Sequence, residues 1–297
     1  MKTIKGMLFG VVLSTALFGC DVLQADAKGN DNGKKGKKGA VEAASSAVGI
    51  AQKWEVPDIL REVSGIVYLG NNQFACVQDE AGVIFLYNTQ TGTIDRQITF
   101  AAAGDYEGIA LVGNNAYVVR SDGQLFEVTN IHTSQNQVTE YPSVLTAAHN
   151  VEGLGYDQKN NRLLLAIKGQ ETNSATYKGV YAFDLGTKKL SKEPVFKLDL
   201  KDPLLFQKKQ KSLSKVWQPS EIAIHPVTGD IYLTEASNPQ LFILHQDGKI
   251  KNRFALSKSE FYKPEGIAFS PSGDLYISNE GKDEAGNILK VTLKDVQ

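Results

Sequence analysis

From about Trp54 to its end, the chain is a succession of short apolar runs, alternating or β-branched, separated by Gly, Asn and Asp. Runs of that kind between turn residues predict strands, and no window holds an apolar stripe at sustained helical spacing. The best helix candidate is 204–216. The strands recur as a unit that opens on one motif. It reads Glu62-Val-Ser-Gly-Ile66, Asp105-Tyr-Glu-Gly-Ile109, Asn150-Val-Glu-Gly-Leu154, Gln218-Pro-Ser-Glu-Ile222 and Lys263-Pro-Glu-Gly-Ile267. The apolar residues that end these motifs lie 43, 45, 68 and 45 positions apart. A second strand follows in each unit, at 73–77, 115–119, 162–167, 230–234 and 274–278, and a third at 83–87, 124–128, 179–183, 240–244 and 287–291.

A period of about 40–50 residues with four short strands per unit is the pattern of a propeller blade. The long third spacing reflects two insertions, 169–178 and 201–218. The fifth unit stops at Gln297 soon after its third strand, and Gln52-Lys-Trp-Glu-Val56 precedes the first unit. The expected fold is therefore all-β: a five-bladed β-propeller, six blades being the alternative, closed by an N-terminal strand that completes the last blade. Such closure leaves no exposed sheet edge.

The region before the repeats predicts an address. Residues 1–19 have a lysine-bearing start and an apolar run from Met7 to Phe18, too short for a spanning helix and shaped like a secretory leader. Leu17-Phe18-Gly19-Cys20 resembles a bacterial lipobox, in which Cys20 becomes the lipidated first residue. Acyl chains there would hold the protein on a membrane without any part of it spanning. Asp21 resembles the inner-membrane retention signal of enterobacteria. Residues 20–50 are rich in Gly, Lys, Ala and Ser with almost nothing large to bury, which predicts a flexible tether ahead of a propeller over 51–297. With Cys20 lipidated, Cys76 is left without a disulfide partner, and its apolar run makes it a small core residue.

Composition narrows the function classes. Lys and Arg number 32 against 33 Asp and Glu, and a chain so nearly neutral is not expected to bind nucleic acid. Sequence patterns for an α/β-hydrolase elbow, a His-Glu-x-x-His zinc site and a phosphate-binding Gly-rich loop are missing. Ser212-Leu-Ser-Lys215 fits Ser-x-x-Lys, a pattern short enough to arise by chance. Of the four histidines, only His149, one residue before the third motif, sits near the repeat's acidic register, and a structural role suits it better than chemistry.

The repeat register itself selects candidates. The start of each first strand and the turn from second to third strand lie on one face of a propeller, around the channel mouth. The inner motif position holds Ser64, Glu107, Glu152, Ser220 and Glu265. Four repeats follow it with Gly, which lets first strands crowd the axis, whereas the fourth has Glu221. The turns add Asp79, Glu80, Arg120, Lys168, Glu235, Asn279 and Glu280. Carboxylates gathered at an axis raise one another's pKa unless a cation compensates. Ca²⁺ accepts six to eight oxygens in flexible geometry, which makes Glu107, Glu152 and Glu265 its expected ligands. The remaining residues are expected to line a ligand site, with the two insertions as loops above it. Lys208, Lys209, Lys211 and Lys215, beside Trp217, would suit an anionic or sugar-like ligand.

Taken in order, the five motifs resemble those of the SdiA-regulated family over essentially all of 54–297. The resemblance implies a secreted or membrane-associated five-bladed propeller with a bound calcium ion and an active site of undefined reaction. The inner glutamates are the positions it carries over, while Ser64 and Ser220 break a fully acidic ring. The expected function is an envelope-anchored, calcium-binding propeller that takes a small-molecule, protein or glycan partner at its mouth. The alternative is a calcium-dependent hydrolase of a lactone, phosphoester or glycan, with a glutamate as base. A scaffold whose metal only ties the blades is the third reading. A monomer is expected.

Overall fold

The inner three strands of each repeat are largely buried and the outermost is not, because only inner strands are covered by blades on both sides. A computed structural model describes residues 47–205 and 213–294, and these form five antiparallel sheets of four or five strands. The segment expected to be a leader, Cys20, most of the expected tether and Lys208, Lys209 and Lys211 lie outside the described residues. The first strand, β1 (Val48–Glu55), belongs to the last blade. Blade 1 is β2 (Val63–Gly70), β3 (Gln73–Gln78), β4 (Val83–Asn88) and β5 (Thr93–Thr99). Blade 2 is β6 (Tyr106–Val112), β7 (Asn115–Arg120), β8 (Leu125–Val128) and β9 (Val138–Tyr141). Blade 3 has β10 (Val151–Asp157), β11 (Arg162–Ile167) and β12 (Tyr177–Asp184); its outer edge is split between β13 (Lys189–Leu190) and β14 (Phe196–Asp199). Blade 4 is β15 (Pro219–Ile224), β16 (Ile231–Glu235), β17 (Gln240–Leu244) and β18 (Ile250–Ala255). Blade 5 is β19 (Pro264–Phe269), β20 (Leu275–Asn279) and β21 (Asn287–Leu293), completed by β1.

The closing strand is thus where the repeat count places it, four residues longer at its start than the apolar pattern showed. Val48 pairs with Leu293 and Glu55 with Asn287, so the edge that β21 would expose is covered. The helix candidate at 204–216 is not a helix where the structure describes it; Leu213–Lys215 form one 3₁₀ turn. No helix among the described residues is long and apolar enough to cross a membrane.

Alternation along the strands produces five cores, one between each pair of consecutive blades. In β3, Ala75 and Val77 pack toward blade 2, while Phe74 and Cys76 pack toward blade 5. The five motif apolar residues distribute the same way. Ile66, Ile109, Leu154, Ile222 and Ile267 each anchor a different interblade core. Cys76 is fully buried and its thiol is pushed far up by burial, the state of an inert core residue.

First strands of neighbouring blades meet closely at the motif glycines. A Cβ on Gly65 would stand 2.9 Å from the Gly108 Cα; on Gly108, 2.8 Å from the Leu154 nitrogen; on Gly153, 2.6 Å from the Ile222 nitrogen; on Gly266, 3.0 Å from the Ser64 carbonyl oxygen. No side chain fits at those distances, so glycine is required for the first strands to close around the axis.

Candidate functional site

All five first strands carry a β-bulge at the same register. Pairing slips between Val63 and Gly65, Tyr106 and Gly108, Val151 and Gly153, Pro219 and Glu221, and Pro264 and Gly266. The extra residue is Ser64, Glu107, Glu152, Ser220 or Glu265, the inner motif position in every case. A bulge residue is released from strict alternation, and bulges beside binding sites re-aim side chains in this way.

Four of the five bulge residues line one small cleft at the channel mouth. Ser64, Glu107, Glu152 and Glu265 are joined there by Asp79, Lys168 and Glu280 from the turns, and by Glu62 and Lys263. The last two escaped the sequence reading, although a signal for them was present. They occupy the first place of the repeat motif, two residues before the bulge position, in repeats one and five. The cleft encloses about 60 Å³. A single water needs roughly 10–15 Å³, so there is room for an ion and a few waters and none for a sugar ring or lactone.

Six carboxyl groups and two ammonium groups share this space. Glu152 is 3% exposed; its Oε2 accepts a 2.9 Å bond from Lys168 Nζ and its Oε1 a 2.5 Å bond from Asn150 Nδ2. Lys263 Nζ stands 3.1 Å from Glu265 Oε1 and also pairs with Glu280. The pairs do not balance the site. Burial, with Glu152, Asp105 and Glu265 nearby, pushes the Glu107 carboxyl far above the usual range, so it keeps its proton at neutral pH. Burial and then Glu152 lift Glu265 to about 7 against the pull of Lys263 and Lys168. Burial, Glu62 and Glu280 lift Asp79 to about 6, and its Oδ1 is buried with no hydrogen-bond partner. Glu152 is raised too, chiefly by burial. For the lysines, burial acts downward but the carboxylates prevail, holding both ammonium groups above their ordinary pKa.

The remaining sequence candidates lie off the lining of this cleft. Ser220 is buried and its Oγ donates 2.7 Å to the Pro264 carbonyl, tying blade 4 to blade 5, as Ser64 Oγ, within the cleft lining, ties blade 1 to blade 2 through the Tyr106 carbonyl at 2.6 Å. Glu221, where other repeats have Gly, accepts from the Leu154 and Ile222 amides at 2.7 and 2.8 Å, leaving Oε2 unpartnered and its pKa well raised by burial. Arg120 is held by Asp122 at 2.8 Å. Glu80 lies exposed in its turn. Asn279 is buried and donates to Asn287 Oδ1 at 3.0 Å. Glu235 is buried against Gln240 and raised to about 8 by burial.

Neither insertion forms a ligand wall where it is described. The first folds back on its own blade, Tyr181 donating its hydroxyl proton to Glu171 Oε2 at 2.8 Å. In the second, Trp217 is core, its ring 4.7 Å from that of Phe242. His149 Nδ1 accepts from the Thr146 amide at 3.1 Å, a structural use.

The acid set suits a hard cation, since every donor is an oxygen and the negative groups outnumber the lysines. Its spacing is open. Among the described residues no three His, Cys, Asp or Glu side chains converge as a ready-made metal cage.

The family model described as SdiA-regulated matches residues 41–283, most of the chain. No curated protein matches it. Of solved structures, glutaminyl cyclase from Myxococcus xanthus is similar at 15% identity and a TM-score of 0.55, over 84% of this chain and 97% of that one. The PQQ-bound aldose sugar dehydrogenase from Streptomyces coelicolor is similar at 14% identity and a TM-score of 0.51, over 83% and 98%. Likeness at that level is one of fold, and a propeller carries many unrelated chemistries.

Proposed function

The chain belongs to the SdiA-regulated family, and we propose that it binds a divalent cation, Ca²⁺, in the acidic cleft and presents it to a ligand or partner at the channel mouth. One observation carries this reading: six carboxyl groups against two lysines in about 60 Å³, with an orphaned buried oxygen on Asp79. Glu107, Glu152 and Glu265 are the residues that would hold the ion, with Asp79 beside them. For these to face one ion, Lys168 and Lys263 give up their pairs and Glu107 gives up its proton. Binding therefore strengthens as pH rises and releases protons. The cleft excludes anything larger than an ion and its waters, so a ligand could meet it only from the open side.

The lipobox-like Cys20 and the Gly/Lys tether support a place at the cell envelope, held by acyl chains with the propeller free of the bilayer. Near-zero net charge supports partners other than nucleic acid.

The test is calcium titration of the full chain by calorimetry in two buffers of different ionisation enthalpy, with thermal melting with and without chelator. The expected result is proton release and a calcium-dependent rise in melting temperature, both lost in Glu107→Gln. Unchanged affinity in both Glu107→Gln and Glu152→Gln would remove these residues as ligands.

A hydrolase at the same mouth is the second reading, favoured by one observation. Glu265, at about 7, has the pKa of an effective general base at neutral pH. Turnover of ester, lactone or phosphoester substrates, measured at saturating calcium and lost in Glu265→Gln, would favour it over simple binding.

A further inference from the structure

The larger cavity of this propeller is at the other end of the channel. First strands start at the acidic cleft, so the hairpins joining first to second strands open on the opposite face. There the channel widens into a funnel of about 710 Å³. Pockets of roughly 300–1,000 Å³ are the size that encloses a whole small molecule. The wall follows the repeat. Three positions beyond the motif glycine, or beyond Glu221 in the fourth repeat, stand Tyr68, Leu111, Tyr156, Ile224 and Phe269. Each lines the funnel and each is only partly buried. Every blade therefore contributes one large apolar or aromatic side chain to a ring left open to solvent.

The charged groups of the wall sit on one side, in the hairpin of blade 3. Asp157, Lys159 and Arg162 are the charged residues that line the funnel, one carboxylate against two cations. Asp157 is saturated by its own hairpin. It accepts from the Asn160 amide at 3.3 Å, from Asn160 Nδ2 at 2.7 Å and from Arg162 Nε at 2.8 Å. That last bond fixes the guanidinium, while its two terminal nitrogens make no hydrogen bond among the described residues. Lys159 is exposed at the rim and, among the described residues, reaches only Gln246 Oε1, at 3.4 Å. In the neighbouring blade 4, His225 Nδ1 accepts from the Val227 and Thr228 amides at 3.2 Å, so the ring is held in place.

We infer that this funnel is a second binding site, for a small amphipathic anion: an aromatic or aliphatic body on the five-residue ring, and one carboxylate or sulfonate at Arg162 and Lys159. The apolar ring supplies affinity through buried area, and the pre-positioned guanidinium supplies a charge-assisted contact that selects an acid over a neutral analogue. The site requires no ion in the acidic cleft.

The probe is 8-anilinonaphthalene-1-sulfonate, titrated by fluorescence into the full chain carrying Cys20→Ser, so that no acyl chain of the protein competes. The expected result is saturable binding, displaced by dodecanoate at least about tenfold more effectively than by dodecan-1-ol, the loss expected when a charged hydrogen-bonding partner is missing. Arg162→Gln and Phe269→Ser should each weaken binding by a similar factor. Lys159→Glu should weaken it severalfold, and because Lys159 is exposed this variant keeps the test decisive where Phe269→Ser fails to fold. Absence of saturable binding, or affinity unmoved by both Lys159→Glu and Arg162→Gln, overturns the proposal. Equal displacement by dodecan-1-ol overturns the acid-recognising part.

Discussion

The two ends of this channel are built from the same five strands and share almost no chemistry. At one end, four of five bulge residues, three of them glutamates, crowd a space of about 60 Å³. At the other, five apolar or aromatic residues ring about 710 Å³, with one carboxylate, a lysine and an arginine on a single side. The difference comes from the backbone. Where each first strand begins, a bulge frees one residue to leave the interblade core, and that position can be polar in all five repeats. Toward the strand's end, pairing is regular in four of the five blades, and the repeat holds one large apolar or aromatic residue packed against an interblade core. One first strand thus carries a polar end and an apolar end, separated by the motif glycine, or by Glu221 in the fourth repeat.

The sharpest way to break the comparison is at the junction itself. Gly153→Leu should be the most damaging single change, because a Cβ there would stand 2.6 Å from the Ile222 nitrogen and 2.8 Å from the Glu221 carbonyl carbon, backbone atoms that cannot swing away. The expected loss is at least about 3 kcal/mol, from overpacking plus separation of blades 3 and 4. Gly113→Ala, at the funnel end, should cost only about 1 kcal/mol. Its φ of +60° is strained for alanine, but nothing stands within 4 Å of the new methyl. Urea midpoints of the two variants measure the contrast, and similar losses would mean that the glycine belt is not what closes the ring.

Next in size is the pH response, which the acidic end should dominate. An acid whose folded pKa is raised takes up protons on folding, so stability is lost as pH rises from its unfolded value through its folded one. Glu265 spans 4.5 to about 7, Asp79 spans 3.8 to about 6, and Glu235 spans 4.5 to about 8, each raised chiefly by burial. Glu127 has the opposite sign. Burial acts against its charged form, but bonds from Tyr117, Tyr141, Lys188 and Asn115 prevail and hold it at about 2, so its contribution is lost below about pH 4.5. Without divalent cations the melting temperature should therefore be higher at pH 5 than at pH 8, and Glu265→Gln should narrow the gap. A higher value at pH 8 would mean that the cleft acids are compensated in a way their neighbours do not show.

How much of this was legible in the sequence follows the same division. Blade number and closure were legible, because a hydrophobic motif repeated at about 44 residues and a missing fourth strand are both linear features. The acidic register was legible as well, since Glu107, Glu152 and Glu265 share one motif position. The bulge was not. Whether Glu107 faces the axis depends on the slip in its pairing with β7, and alternation along one strand does not reveal that. The turns were the weakest guide. Arg120 looks like a mouth cation in the sequence, yet Asp122, two residues on, holds its guanidinium. Lys263 carries two carboxylates of the cleft but sits before a proline, where it reads as a loop residue. The funnel ring was present in the repeat as Tyr68, Leu111, Tyr156, Ile224 and Phe269. Large apolar residues at strand ends ordinarily signal core, and only the closed ring of blades leaves them partly open.

The smallest expected effect is also the most informative about the fold. If the two ends are chemically separate, Glu107→Gln should leave the affinity of the funnel for 8-anilinonaphthalene-1-sulfonate within about a factor of two. Six ionised carboxyl groups facing two lysines would send a net negative field down the channel and weaken an anion at the far end. The cleft does not carry that charge at neutral pH, because Glu107 keeps its proton, Glu265 is half protonated near pH 7, and Lys168 and Lys263 are paired to Glu152 and Glu265. Replacing an already neutral Glu107 therefore changes little. Raising the pH to 9 should ionise Glu265 and leave a residual repulsion, seen as a modest loss of probe affinity that Glu265→Gln removes. A large effect of Glu107→Gln at pH 7 would mean that Glu107 is ionised there and that its field reaches the funnel, making the two sites one electrostatic unit.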